Sequence, residues 1–367
     1  MKNFNDAIRY SFIFCIALGM QLLSAMTNYE LFENKNIVIL GGTGYLGRAI
    51  AAEMLKYNPA RVVIYSRDEV KHFNMTKIFG HHANIKHVIG DIRDFSSLLQ
   101  ATRGADIVFH VAALKRMDAL ESNVEEAIKT DVIGSINVFN ACVENNVDKV
   151  LFISTDKSCS PINTYGACKF VSEKIFTNYD TTQIKTKFIA TRFGNILQST
   201  GSVIPIFTDK IKNGEDIPLT DDRMTRFIVD KQEATELIFD ALRYGNGGEI
   251  FVKRLPALKV TDLIHVLKDR YNATNKIKVI GLRPGEKIHE VLINESEMAR
   301  TIEFNGLFII RPSVADLYKN DHEVPLYMQK GKRANTSHQD FVTEYSSGQA
   351  VIDKGPLAEL FEKLGLL

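Results

Sequence analysis

The sequence predicts an α/β fold, a doubly wound parallel sheet with a smaller C-terminal α/β lobe. Three observations carry this. From Lys35 onward, short apolar runs alternate with longer helical periods. Near-continuous apolar strands separated by helices belong to parallel sheets covered on both faces. The first run ends in a glycine-rich turn, Gly41-Gly-Thr-Gly-Tyr-Leu-Gly47, which opens a helical pattern. After Arg192 the alternation weakens, and Gly201, Pro205, Gly214 and Pro218 punctuate it.

The candidate strands are Ile37–Leu40, Arg61–Tyr65, Lys86–Ile89, Ile107–Val111, Lys149–Ser154 and Lys187–Thr191. Helical patterns lie between them at Leu46–Tyr57, Phe95–Thr102, Val124–Asn145 and Ala167–Tyr179. Further helices are expected over Lys231–Arg243 and Thr261–Tyr271, with a terminal one at Leu357–Leu364. No internal repeat or low-complexity stretch is evident.

The chain has 367 residues, enough for two or three domains or for one large core with an appended lobe. Apolar residues make up 45% and charged residues 24%, which excludes a disordered chain, a collagen and a polytopic membrane protein. Lys plus Arg number 45 against 44 Asp plus Glu, so the net charge of +1 gives no overall attraction for nucleic acid or anionic lipid. Cys15, Cys142, Cys159 and Cys168 form no C-x-x-C pair, so neither a disulfide framework nor a metal site is expected. A reducing, cytoplasmic setting follows.

Residues 1–25 stand apart. Arg9 precedes an apolar run over 12–25 that is short for a bilayer span, which needs about 20 apolar residues. Three readings stand: a secretory signal, an anchor, or sequence upstream of a true start at Met26. Membrane association is expected only for the anchor. The fold prediction leaves this segment out.

The turn Gly41–Gly47 has the spacing G-x-x-G-x-x-G between a strand and a helix. Glycines there let the backbone approach a pyrophosphate, which rests on the helix N-terminus. A Rossmann-like dinucleotide site is therefore expected. The second strand runs into Tyr65-Ser-Arg-Asp68. An acid at this point suits a ribose 2′-hydroxyl, whereas a cation suits a 2′-phosphate. Ser66 and Arg67 favour NADP, and Asp68 speaks for NAD. Asp91, after the third strand, is either an adenine contact or a helix-start turn. The expected division is 26–192 for the NADP domain, 193–312 for a lobe with some segments returning to the sheet, and 313–367 for a C-terminal extension.

Ser154-Thr-Asp-Lys157 closes the fifth strand, and Tyr165-Gly-Ala-Cys-Lys169 follows. Tyr165 and Lys169 share a helix face. A lysine beside the phenol, together with an oxidised nicotinamide, is expected to lower the phenol's pKa and make it a base toward a sugar hydroxyl.

With these motifs the chain resembles an extended short-chain dehydrogenase/reductase, and more narrowly the inverting UDP-N-acetylglucosamine 4,6-dehydratases. The resemblance runs from about Asn36 to Pro312. Beyond the motifs above it rests on Ala112-Ala-Leu-Lys115, Lys129-Thr-Asp-Val-Ile-Gly134, Arg192-Phe-Gly-Asn195, Gly201-Ser-Val-Ile-Pro205 and Arg283-Pro-Gly-Glu-Lys287. The family has Asn where this chain has Asp131.

The resemblance implies C4 oxidation with bound NADP, loss of water across C5–C6 and return of hydride to C6. It implies a cofactor site of Gly41, Thr43, Gly44, Tyr45, Leu46, Gly47, Ser66, Arg67, Asp91, Ile92, Ala112, Ala113, Lys115, Tyr165 and Lys169. Asp156 becomes the acid for the C6 hydroxyl, and Lys157 the base for the C5 proton. Lys157 must be neutral to act, and desolvation, nearby Lys169 and Lys115, and the oxidised nicotinamide are together expected to depress its pKa. Tyr165 and Lys169 complete the catalytic set. The UDP-sugar is expected to meet Lys115, Thr155, Asn195, Arg226, Arg283 and Glu286. Arg226 is equally readable as a structural ion pair and His289 as packing, while Glu286 either orients Arg283 or reaches a ribose. The family also implies a homo-oligomer, often a hexamer. Two rivals remain, a UDP-sugar 4-epimerase and a non-catalytic dinucleotide-binding redox sensor.

Overall fold

The computed structural model describes residues 28–80, 82–180, 183–197, 203–313, 324–334 and 343–366. The expectations for residues 1–25 and for Gly201 lie outside them. Among the described residues ten strands form the main sheet: β1 (Asn36–Leu40), β2 (Arg61–Ser66), β3 (Ile85–Ile89), β4 (Ile107–His110), β5 (Lys149–Ile153), β6 (Lys187–Arg192), β10 (Ile250–Lys253), β14 (Thr301–Phe304), β15 (Leu307–Ile310) and β16 (Lys332–Arg333). Their order is β16-β14-β15-β10-β6-β5-β4-β1-β2-β3. All pairs from β3 to β10 are parallel, and β15, β14 and β16 add an antiparallel edge. The order reverses between β1 and β4. Ligands of doubly wound sheets bind at such a switch point, beyond the carboxyl ends of the strands.

The sheet reads as expected because its strands are apolar on both faces. Ile37, Val38, Ile39 and Leu40 are all buried, as are Val150, Leu151, Phe152 and Ile153. Helices cover both sides. Phe32, preceding β1, is fully buried, with its ring 4.8 Å from Phe239 of helix Lys231–Tyr244.

The lobe is not separate from the sheet. Segments after residue 193 return to it as β10, β14, β15 and β16. The rest of the lobe builds small sheets from β7 (Asn195–Ile196), β9 (Thr225–Val229) and β11 (Ala257–Lys259), and from β13 (Val291–Ile293) with β17 (Tyr345–Ser346).

Three local differences from the sequence reading have physical reasons. A helix at Glu69–Phe79 carries no apolar stripe, because Val70, Phe73 and Ile78 face outward. Asp68 caps it, accepting from the Lys71 amide at 3.0 Å. Helix Thr164–Thr177 starts three residues earlier than Ala167 because Asn163 caps it, accepting from the Gly166 amide at 2.7 Å. The single helix expected over Val124–Asn145 is interrupted by a wide π-turn at Ile128–Ile133. Such turns occur often at functional sites. Here the freed Asp131 carbonyl accepts from the Ser135 and Ser172 hydroxyls at 2.5 and 2.6 Å.

One buried ionic cluster joins the sheet to the lobe. Arg192, at the end of β6, is fully buried. It ion-pairs with Glu173 of helix Thr164–Thr177 and, at 2.7 Å, with Glu297; it also donates to the Leu292 carbonyl on β13 at 3.0 Å. Burial pushes the Glu297 carboxyl up, but Arg192 outweighs it and holds the pKa near 2, well below the ordinary value. A depressed acid stabilises the fold above its unfolded pKa, about 4.3, and that stability is lost as pH falls toward the folded value. The contribution is on the order of 3 kcal/mol. In urea unfolding, native protein is expected to lose stability between pH 4.5 and 2.5. Glu297→Gln is expected to be weaker at pH 6 by about 3–5 kcal/mol and to show a flatter acid limb.

Candidate active site

The switch point gathers the loops after β1, β4 and β5. Gly41 has φ +80°, and a Cβ there would sit 2.6 Å from the Ala112 nitrogen after β4. A Cβ on Gly47 would meet the Gly41 carbonyl at 2.6 Å. The turn is thus closed to any side chain. Helix Tyr45–Met54 begins at Gly44 with no side-chain cap, which leaves its first amides to an anion. These features fit a dinucleotide pyrophosphate.

The other expected cofactor residues divide between lining and support. Thr43 is buried, with Oγ1 2.8 Å from Ser66 Oγ. Arg67 is half-exposed and lies 3.5 Å from Asp91. Asp91 accepts from the Arg93 guanidinium at 2.7 and 2.9 Å and from its backbone amide at 2.9 Å. These contacts make Asp91 the anchor of a turn. Leu46 and Ile92 are buried packing residues, and the Tyr45 hydroxyl donates to the Leu197 carbonyl at 3.3 Å. Ala113 and Lys115 lie on the loop after β4, with Lys115 exposed.

The Ser154–Lys157 turn carries the densest chemistry. Asp156 is fully buried. Its Oδ1 accepts from Thr155 Oγ1 at 2.9 Å and from Lys157 Nζ at 3.0 Å, while Oδ2 is buried without a hydrogen-bond partner among the described residues. Such an orphan calls for a donor. Lys157 Nζ also lies 3.4 Å from Asn195 Oδ1 and 3.7 Å from Glu290 Oε1. Thr155, expected at the substrate, donates to Asp156 and so orients it.

The expected depression of the Lys157 pKa is not what the site produces. Burial pushes the ammonium down, but Asp156 and Glu290 outweigh it and hold Lys157 above the ordinary lysine value, hence charged. The protein's own groups do not lower Tyr165 either. Burial raises its phenol above the usual value, and the cation opposing this is Lys157 rather than Lys169. Lys169 is itself pushed down to about 8 by burial, against the pull of Asp131 and Glu173. Its ammonium donates to the Ile153 carbonyl at 2.5 Å and sits 3.9 Å from the Phe152 ring centroid. Burial raises Asp131 to about 6. Its Oδ1 accepts from the Leu114 amide at 2.8 Å, and Oδ2 has no partner among the described residues.

Glu290, which sequence reasoning passed over, is a further buried carboxylate of the site. Its Oε1 lies near Lys157 and 3.9 Å from Arg226 Nε, and its Oε2 lies 4.0 Å from Lys287 Nζ with no hydrogen bond among the described residues. Its signal was the dense run Glu286-Lys-Ile-His-Glu290. Arg226 proves structural in part: it donates to the Thr225 and Ile288 carbonyls at 2.7 and 3.1 Å. His289 Nδ1 lies 2.8 Å from Thr225 Oγ1. Arg283 is exposed, and Glu286 accepts from its backbone amide at 3.2 Å, so this carboxylate fixes the loop rather than the guanidinium. Gly285, at φ +78°, packs where a Cβ would come within 2.7 Å of Asn163, whose amide donates to the Gly285 carbonyl at 2.8 Å. The lobe loop is thereby docked on the cap of the helix bearing Tyr165. Among the described residues no group of His, Cys, Asp and Glu could hold a metal ion, and no helix is long and apolar enough to cross a membrane.

Residues 37–312 match the family described as polysaccharide biosynthesis protein. The chain is 40% identical over 308 residues to an inverting UDP-N-acetylglucosamine 4,6-dehydratase of Campylobacter jejuni, covering 83% of this chain and 91% of that one. It is 38% identical over 293 residues to a UDP-glucose 4-epimerase of Rickettsia bellii, covering 78% and 86%. Among solved structures it resembles Pen from Bacillus thuringiensis, with a TM-score of 0.82, 35% identity and coverage of 92% and 99%. The switch-point glycine turn, the Tyr165/Lys169 helix and these matches agree, and the chain belongs to the polysaccharide biosynthesis protein family as an extended short-chain dehydrogenase/reductase.

Proposed function

We propose that the protein is a C5-inverting UDP-N-acetylglucosamine 4,6-dehydratase, a hydro-lyase that works with tightly held NADP. The observation that carries this reading is the buried Asp156–Lys157 pair with its orphaned carboxylate oxygen, set beside the Tyr165 helix. A 4-epimerase needs the tyrosine and lysine but has no water to expel, and so no use for a buried acid and base at C5–C6. The dehydratase relative at 40% identity supports the same choice, while the epimerase relative at 38% keeps the rival testable. The cofactor, when bound, accepts hydride from C4 and returns it to C6.

The chain's own residues handle the protons. Tyr165 would take the C4 hydroxyl proton as the phenolate, a form that burial opposes and that the positive charge of Lys157, of Lys169 and of an oxidised nicotinamide would favour. The C4 ketone then acidifies C5–H. Lys157 is charged and Asp156 ionised as an ion pair, which is the wrong way round for base and acid. Transfer of one proton across the 3.0 Å contact makes both species at once, a neutral amine and a carboxylic acid. A sugar closing over the pair removes water and disfavours the separated charges. Lys157 then takes the C5 proton, and Asp156 protonates the departing C6 hydroxyl as water. When hydride returns to C6, Lys157 delivers a proton to C5, which leaves a neutral amine beside the carboxylate; the proton that Tyr165 took from the C4 hydroxyl then passes to Lys157 and restores both the ion pair and the tyrosine base. Asn195, Arg226 and Arg283 are proposed for the UDP, with Arg suited to phosphate. The apolar side chains Val124, Ile128, Ile133 and Ile136, exposed along one helical stretch, support a homo-oligomer. A cytoplasmic location accords with a site of this kind.

Incubation with UDP-N-acetylglucosamine is expected to give a product lighter by one water. Unchanged mass with altered C4 configuration would establish the epimerase instead. Lys157→Ala is expected to accumulate 340 nm absorbance from reduced cofactor while dehydration falls by about 10²–10⁴-fold. Tyr165→Phe is expected to fail before that absorbance appears. Dehydration by Lys157→Ala near the native rate would overturn the assigned roles.

A further inference from the structure

Ser66 closes β2, where the adenine ribose is expected, and a hydrogen-bonded series runs inward from it. Ser66 Oγ lies 2.8 Å from Thr43 Oγ1 in the glycine turn and 3.0 Å from Nε2 of His72. The same His72 nitrogen is 3.2 Å from the Ser66 carbonyl oxygen. On its other side, His72 Nδ1 meets His87 Nδ1 of β3 at 2.9 Å, with the rings edge to face. His87 Nε2 is 3.5 Å from Thr76 Oγ1. His72 is buried and His87 half-buried.

Counting protons over this network assigns the ring states. A carbonyl only accepts, so the 3.2 Å contact to the Ser66 carbonyl is a hydrogen bond in the tautomer with hydrogen on His72 Nε2, and the count is made for that tautomer. The contact between the two Nδ1 atoms needs one hydrogen. If His87 supplies it, both rings are neutral. If His72 supplies it, His72 is an imidazolium with hydrogen on both nitrogens. Two imidazolium rings would place two hydrogens in one 2.9 Å gap. The pair is therefore built to carry no charge or a single one.

Little around it cancels that charge. Among the described residues no carboxylate hydrogen-bonds or ion-pairs with either ring. On the histidine-bearing helix, Asp68 is paired with Lys71 at 3.0 Å, and Glu69 and Lys77 lie along the same helix. Lys86 is on β3, and Arg67 beyond β2 is already shared with Asp91, itself held by Arg93.

We propose that the His72–His87 pair is a second determinant of cofactor choice, which in its singly protonated state places positive charge behind Ser66 and favours a ribose 2′-phosphate over a 2′-hydroxyl. The inference rests on the NADP reading above. His72 acts through Ser66 and is a positioning residue. Burial and the neighbouring His72 hold His87 below the ordinary histidine value, so His87 is the acceptor in the Nδ1 contact. A unit charge one side chain removed from a phosphate corresponds to roughly three- to tenfold in affinity.

The protein is equilibrated with equimolar NADP⁺ and NAD⁺ at pH 6.0 and pH 8.5, freed of unbound nucleotide and denatured, and the released cofactors are quantified by chromatography. His72→Gln keeps an N–H for Ser66 and cannot take a proton. NADP is expected to predominate throughout. The bound NADP-to-NAD ratio is expected to be about three- to tenfold higher for native protein than for His72→Gln at pH 6.0, and to converge at pH 8.5. The 2′-phosphate has its own ionisation near pH 6, which acts equally on both proteins and cancels in the comparison. NADP predominating with one pH profile for native and variant would overturn the histidine proposal alone. NAD predominating in native protein at both pH values would overturn the NADP reading itself. Should His72→Gln fail to fold, His87→Phe removes the acceptor for His72 Nδ1–H and is expected to lose the same pH dependence. ¹⁵N-histidine NMR of native protein is expected to show one proton taken up by the pair; two rings titrating independently to a doubly charged state would overturn the proposal.

Discussion

The active-site geometry depends on the buried Arg192 cluster. A guanidinium taken fully out of water is tolerable only when its donors are met, and here two carboxylates and the Leu292 carbonyl meet them. Its partners sit where alignment matters. Glu173 is on the helix that carries Tyr165 and Lys169, four residues beyond the latter. Leu292 and Glu297 belong to the segment that begins with Glu290. The clamp therefore fixes the distance between the helix bearing the proposed C4 base and the segment bearing Glu290. A hydrophobic contact would hold the same elements together without fixing their angle, because bidentate pairing is directional and apolar packing is not. The Ser158 hydroxyl ties the Asp156–Lys157 turn to the same cluster, donating to Glu173 at 3.2 Å.

What was legible in the sequence was whatever local pattern specifies. Five of the six strands read from sequence were readable because both faces are apolar, the edge strand β3 by its short apolar run alone, and the glycine turn because no other residue tolerates its approach to Ala112. The helix at Glu69–Phe79 was not readable, since its apolar side chains face outward and leave no periodic stripe. The return of β10, β14 and β15 to the sheet was foreseen only in outline. Their pairing is non-local, and a short apolar run such as Ile250–Lys253 does not say which strand it will join. The π-turn at Ile128–Ile133 is likewise set by tertiary contacts, with Ser172 of another helix accepting the task of satisfying Asp131.

In the site, residue identity was legible and charge state was not. The motifs brought Asp156, Lys157, Tyr165 and Lys169 to attention, and the fold carries all four at the carboxyl edge of the sheet. The protein's own contribution to the Lys157 and Tyr165 pKa values was not legible, because it depends on neighbours distant in sequence. Lys157 was read beside cations, whereas its neighbours within 4 Å include Asp156 and Glu290. Glu290 is separated from Lys157 by more than a hundred positions, and only the lobe's docking through Gly285 on Asn163 brings its segment close.

The same argument bears on why one scaffold can serve epimerases and dehydratases. The glycine turn, Tyr165 and Lys169 depend on the parallel core and its covering helices, and on the proposed reading they serve reversible oxidation at C4. Elimination asks for something the core does not supply, a proton donor and a proton acceptor side by side, both shielded from water. A single carboxylate in that place would stay ionised if solvated and would be a costly lone charge if buried. Pairing it with a lysine solves the desolvation problem first, since the ion pair is stable when nothing is bound. It solves the catalytic one second, since one proton crossing one hydrogen bond converts a resting pair into an acid and a base. On this reading Glu290 has a defined electrostatic duty. By holding Lys157 charged, it keeps the proton on the amine until the incoming sugar changes the balance, so that base and acid arise only in the occupied site.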